Sequence, residues 1–177
     1  MTGEEVETLP LEVIVLTLTT RTLMFLWARG NHTGPTGFAQ KTIQLPTAAS
    51  RFNRPGQHLA IDPRCRAIAV TAAEGCFMFY KTKTMNMWRR DMQAGHDEAP
   101  ITEETQYPID GRIMHMDFLS AGDDAHVVLI FILVHEGKTK VASYDWDFRN
   151  SLDTMPRITR SVLDFGEHIF APLRGSA

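Results

Sequence analysis

Histidine and aspartate at alternate positions offer this chain its first possible chemistry. In the run IMHMDF (113–118), His115 and Asp117 fall on one face if the segment is a strand. Such a pair could seed a metal site once a third ligand joins it, and His126 and His135 are the candidates for that ligand. Asp145 and Asp147 are spaced in the same way around Trp146 and raise the possibility of glycoside hydrolysis. That chemistry needs two carboxyl groups roughly 5 to 9.5 Å apart across a cleft. Trp88-Arg89-Arg90 sets an aromatic ring beside two guanidinium groups, a combination that can stack on a base and grip phosphate.

Each of these constellations lacks its confirming partner. There is no HExxH, no Cys-x-x-Cys and no carboxylate-rich calcium loop, so His115 and Asp117 read as a hydrogen-bonded polar pair at a strand end. Nothing fixes a cleft around Asp145 and Asp147, which fit a turn at a strand terminus. The acidic residues Asp97, Glu98, Glu103 and Glu104 follow Trp88-Arg89-Arg90 and oppose a phosphate grip. A Gly-x-Ser-x-Gly elbow, a Walker loop and a GxGxxG sequence are also missing. No catalytic, cofactor-binding or metal-ligating residue is therefore assigned, and no cofactor is expected.

Composition limits the remaining classes. A length of 177 residues suits one domain, and 44% hydrophobic with 22% charged residues suits a globular one. The net charge of −3 gives no overall basic footprint for nucleic acid. The most apolar run, VVLIFILV (127–134), is far shorter than the roughly 18 residues of a membrane helix and reads as a buried strand. Cys65 and Cys76 are not expected to be cross-strand neighbours. With no secretory or targeting run at Met1, two unpaired thiols point to a reducing intracellular compartment. The sequon Asn31-His32-Thr33 carries no weight without secretion.

The elements that must position these residues are strands. Apolar runs at 13–18 and 23–28, at 67–72 and 76–80, and at 127–135 and 141–146 form three pairs. Their reversals are Thr19-Thr20-Arg21, Glu74-Gly75 and Glu136-Gly137-Lys138. Further strands are expected at 39–45, 58–61, 113–118 and 158–163, giving three or four per unit. The turns recur roughly every 55 to 65 residues, above the usual propeller repeat of about 40 to 50, so long loops are expected. In 13–18 and 127–134 both alternating faces are apolar, which predicts that both are covered. The polar stretch 86–112 is expected to be a long loop or an insertion, forming a short helix or an irregular loop, and is either an excursion on a face that contacts partners or a disordered linker.

The segment HLAIDPRCRAIAVTAAEGCFMFYKTK (58–83) joins two of these runs through Asp62-Pro63 and Glu74-Gly75. Its order of signals resembles one scaffold family of β-propellers. That family includes the A subunit of the cleavage and polyadenylation specificity factor, the large damaged-DNA-binding protein, the related splicing factor 3b subunit and the methyl-methanesulfonate-sensitivity scaffold of fungi. LTLTT (16–20) followed by LMFL (23–26) resembles the family's early hairpin, and IMHMDFL (113–119) the strand leading into the next blade. The run 128–134, Glu136-Gly137 and Tyr144-Asp145-Trp146 resemble that blade's hairpin and ending.

The resemblance implies an all-β fold, a partial β-propeller of about three antiparallel blades with long connecting loops, over residues 11–173. Residues 1–10 are expected to be a disordered N-terminus. The implied function is non-catalytic scaffolding in a nuclear multiprotein complex, with partners drawn from a cullin-type ubiquitin ligase in DNA repair or from pre-mRNA cleavage and splicing factors. Nucleic acid is then met through the complex rather than directly, and no membrane is involved. The alternative is a small-molecule enzyme on a propeller or sandwich fold. A propeller typically closes with at least four blades, and Phe170-Ala171-Pro172-Leu173 looks like the start of another strand. The expectation is therefore an open arc, from a truncated gene product or an excised fragment, with bare apolar faces.

Overall fold

A computed structural model describes residues 13–31, 34–46, 54–72, 75–94, 98–120, 125–148 and 157–164. Three antiparallel sheets follow one another along the chain. The first runs β1 (Val13–Leu18), β2 (Thr22–Asn31), β3 (Gly34–Gln44). The second runs β4 (Leu59–Ile61), β5 (Ala67–Thr71), β6 (Cys76–Thr82), then α1 (Met85–Gln93) and β7 (Ile101–Pro108). The third runs β8 (Arg112–Leu119), β9 (His126–His135), β10 (Lys138–Asp147), β11 (Arg157–Asp164). In each, neighbours in sequence pair in space, which is the meander of a propeller blade.

Local chemistry sets the reversals. Glu136 and Gly137 both take positive φ, 50° and 75°, and His135 pairs with Lys138, so β9 and β10 meet through a two-residue turn of the type that matches strand twist. Between β1 and β2, the three-residue loop Thr19-Thr20-Arg21 ends with Arg21 at φ 61°. Gly111, at φ 118°, lies so close to β9 that an added Cβ would meet the Val134 carbonyl oxygen at 2.8 Å. Glycine is required there for both reasons.

Alternation along the strands distributes two cores. The second sheet sends Ile68, Val70, Met78 and Tyr80 towards Leu23, Phe25 and Trp27 of the first. Its other face sends Ala69, Phe77 and Phe79 towards Leu129, Phe131, Tyr144 and Trp146 of the third. The second sheet is thus sandwiched, and every residue of β5 is buried. The aromatics at alternating positions, Phe25, Trp27, Phe77, Phe79, Phe131 and Trp146, all lie in these two cores.

Two expectations change. Strands 13–18 and 127–134 are covered on one face only: Ile14 is 54% and Leu16 42% exposed, and Val128, Ile130, Ile132 and Val134 are half-buried. They belong to the outer sheets, so only the side facing the second sheet is closed. The stretch 86–112 contains a short helix, one of the forms expected, as most of α1, but it is not one long loop, since it also supplies all of β7 and the first residue of β8. The pattern ITEETQYP hides a strand because β7 is the edge of its sheet and shows Glu103 and Glu104 to solvent. Residues 1–12 and Phe170-Ala171-Pro172-Leu173 lie outside the described residues.

Candidate interaction surfaces

The Asp62-Pro63 signal has a structural cause. Proline presets φ at the second position of a turn closed by the Cys65 N–H donating to the Asp62 carbonyl at 2.7 Å. The turn points the Asp62 carboxylate back at Arg66. Arg66 donates from its backbone N–H to Asp62 Oδ2 (3.1 Å), from Nε to Oδ2 (2.8 Å) and from Nη2 to Oδ1 (3.1 Å). The same Nη2 donates to the His126 carbonyl at 3.0 Å, so the pair also ties the second sheet to the third. Asp62 is 1% exposed, and a carboxylate so buried needs this fork-shaped partner. Neither residue was singled out in the sequence as half of a pair; an acid after an apolar run with arginine four positions on was the available signal.

Strand register separates the imagined metal ligands. His115 lies opposite Ile132, whereas His126 lies opposite Asp147, six residues further along β9, about 20 Å away at strand rise. His135 ends β9 at the turn, opposite Lys138, with its Nδ1 3.5 Å from Lys140 Nζ. Asp117 instead accepts the Phe118 backbone N–H at 2.8 Å. Among the described residues no group of three His, Cys, Asp or Glu is placed to hold a metal ion.

Asp145 and Asp147 do share a face of β10, and His126 fills the space between them. Its Nδ1 is 2.9 Å from Asp145 Oδ1 and its Nε2 is 3.8 Å from Asp147 Oδ2. The two carboxylates thus form a histidine clamp on the strand.

Trp88 is withdrawn from any base-stacking role. Thr84 caps α1, and the helix directs Trp88 inward, where its ring lies edge-on to Trp27 (5.1 Å between centroids) and Phe25 (6.4 Å). Its indole N–H donates to the Glu98 carbonyl at 3.3 Å. Through Trp88 the helix is anchored in the core between the first two sheets. Cys65 is exposed and Cys76 is buried, and neither forms a disulfide.

Buried titratable groups lie at the contacts between sheets. Burial raises Tyr80, with Glu104 adding to the effect, and burial also raises Tyr107. Tyr144 donates from its hydroxyl to the Pro108 carbonyl, joining the third sheet to the end of β7. Burial lowers His58, a hydrogen bond with the Ile113 backbone opposes that, and the charges of His115 and Arg112 reinforce it. His58 Nε2 is buried without a hydrogen-bond partner.

Among the described residues, the outward faces of the first and third sheets have no other sheet packed against them. On the third sheet, Val128, Ile130, Ile132 and Val134 run down β9 beside Val141 and Ser143 of β10, with the His126 clamp at one end. On the first sheet, Ile14 and Leu16 pair with Leu26 and Met24.

Stacked antiparallel meanders, with the middle sheet packed on both faces, define a β-propeller arc. The family model for the RSE1/DDB1/CPSF1 first beta-propeller matches residues 4–176, and the chain belongs to that family. Its members are scaffolds for protein interaction. Comparison with the curated proteins gave no match.

Proposed function

We propose that this protein is a non-catalytic interaction scaffold of a nuclear complex, acting either as an adaptor of a cullin-type ubiquitin ligase in DNA repair or as a subunit of a pre-mRNA cleavage or splicing assembly. The family match over 4–176 carries the reading. The open apolar faces of the first and third sheets support it, because contiguous apolar surface of this kind is used to bind other proteins. Affinity purification of the tagged full-length gene product with mass spectrometry tests the proposal and chooses the branch. A cullin recovered in near-stoichiometric amount supports the first role, and polyadenylation or splicing subunits the second. Recovery of no protein partner argues against both. Imaging of the tagged protein should place it in the nucleus, and a purely cytoplasmic distribution contradicts that part.

A further inference from the structure

Charge along the chain is strongly segregated. Between Val13 and Ile61 there are five Lys and Arg residues and no Asp or Glu, in a chain whose net charge is −3. Two of the five, Arg21 and Arg54, line one cleft of about 440 Å³ together with Thr17, Thr19, Gly56 and Gln57. They are 33 residues apart in sequence, and the fold brings them together by docking the turn 54–57 on the end of the β1–β2 hairpin.

That docking is built rather than incidental. Gly56, at φ 76°, approaches so closely that an added Cβ would lie 3.1 Å from Thr17 Cβ. Its N–H donates to the Thr71 carbonyl at 2.7 Å, and the Thr71 hydroxyl donates to the Arg54 carbonyl at 3.1 Å. Arg21 is held from both sides: its N–H donates to the Leu18 carbonyl at 3.0 Å and its carbonyl accepts the Leu45 N–H at 2.9 Å. It also takes the left-handed conformation, uncommon for a residue other than glycine or asparagine. Both side chains are exposed, and among the described residues neither guanidinium has a carboxylate partner.

We propose that the Arg21–Arg54 cleft is a binding site for the carboxylate or phosphate group of an acidic or phosphorylated segment of a partner protein. Two guanidinium forks on pinned backbones suit an oxyanion, which each can hold through paired N–H donors. Threonine hydroxyls and Gln57 add neutral donors. Among the described residues the cleft has no aromatic lining on which nucleic acid bases could stack, which favours a peptide over an oligonucleotide. The inference rests on the scaffold reading, because it names the chemistry of one partner contact.

Fluorescence polarisation on the full chain tests it with three labelled probes: a phosphoserine peptide flanked by leucines, the same peptide with glutamate in place of phosphoserine, and a single-stranded oligothymidine. The proposal expects saturable binding of the phosphoserine peptide, the glutamate peptide, or both, weakening as salt rises. The one that binds identifies the anion. Arg21→Asn keeps a residue that tolerates the left-handed turn, and Arg54→Gln removes the second fork. Each should weaken peptide binding about tenfold and the pair should abolish it, whereas Lys138→Gln on the third sheet should not change it. Circular dichroism confirms that the variants stay folded. No binding of either peptide, unchanged affinity in the double variant, or tighter binding of the oligonucleotide would overturn the proposal. Because the probes are added to purified protein, these outcomes are independent of whether affinity purification recovers a partner complex.

Discussion

At Asp62 the chain buries a full negative charge, and only Arg66 makes that tolerable. Arg66→Ala would strand the carboxylate in the seam between the second and third sheets and remove the bond to the His126 carbonyl. The expected loss is about 3 kcal/mol, read from the shift of the denaturant midpoint at constant slope. Arg66→Lys should recover only part of it, since an ammonium cannot reproduce the fork. His58 sets a pH dependence. Its folded value lies below the ordinary 6.5, so the unfolded chain binds the proton more readily. The stability carried by the neutral ring is complete above about 6.5 and is lost as pH falls through and below that value. Denaturant midpoints measured between pH 7.5 and 5.5 should fall, and His58→Gln should flatten the fall. Gly111→Ala combines a positive φ with a clash against the Val134 carbonyl and should cost about 2 kcal/mol or more. An unchanged thermal midpoint in that variant would show that the approach of the β7–β8 connection to β9 is looser than described.

Among the elements, the seam between the second and third sheets gathers a cluster of aromatic contacts. Phe79 of β6 stacks on Trp146 of β10 with centroids 4.2 Å apart, and Phe77 meets Phe131 and Tyr144 at 4.8 and 5.2 Å. Phe79 is 4% exposed, so Phe79→Ala should cost about 3–5 kcal/mol, and a midpoint in denaturant equal to that of the unmodified protein would contradict this packing. The same elements show what sequence could reveal. Hairpins with apolar arms and turn residues between them were legible at 13–28, 67–80 and 127–146 because alternation and turn chemistry are local properties. β7 was not legible, since an outer edge strand needs few apolar residues. Trp88 was misleading beside Arg89 and Arg90, because its burial depends on where α1 lands against the first sheet. The Asp62–Arg66 pair and the joining of Arg21 to Arg54 depend on tertiary placement, which spacing alone does not encode.

For the whole molecule, the decisive feature is that the three described sheets stack around two cores, with apolar outward faces on the first and third. The middle sheet shows what satisfies such a face: another sheet surface packed against it through aromatic and branched side chains. The outer faces, with Ile14 and Leu16 at one end and the β9 row at the other, call for protein cover of the same kind. Among the described residues the candidate ligands lie apart on β8 and β9, the two carboxylates of β10 face His126, and the polar cleft around Arg21 and Arg54 suits recognition of an anion. The most direct measurement is size-exclusion chromatography with light scattering on the isolated chain over a range of concentrations. Open apolar ends require a mass that rises above 20.0 kDa with concentration, and a monodisperse 20.0 kDa monomer that unfolds cooperatively would contradict them.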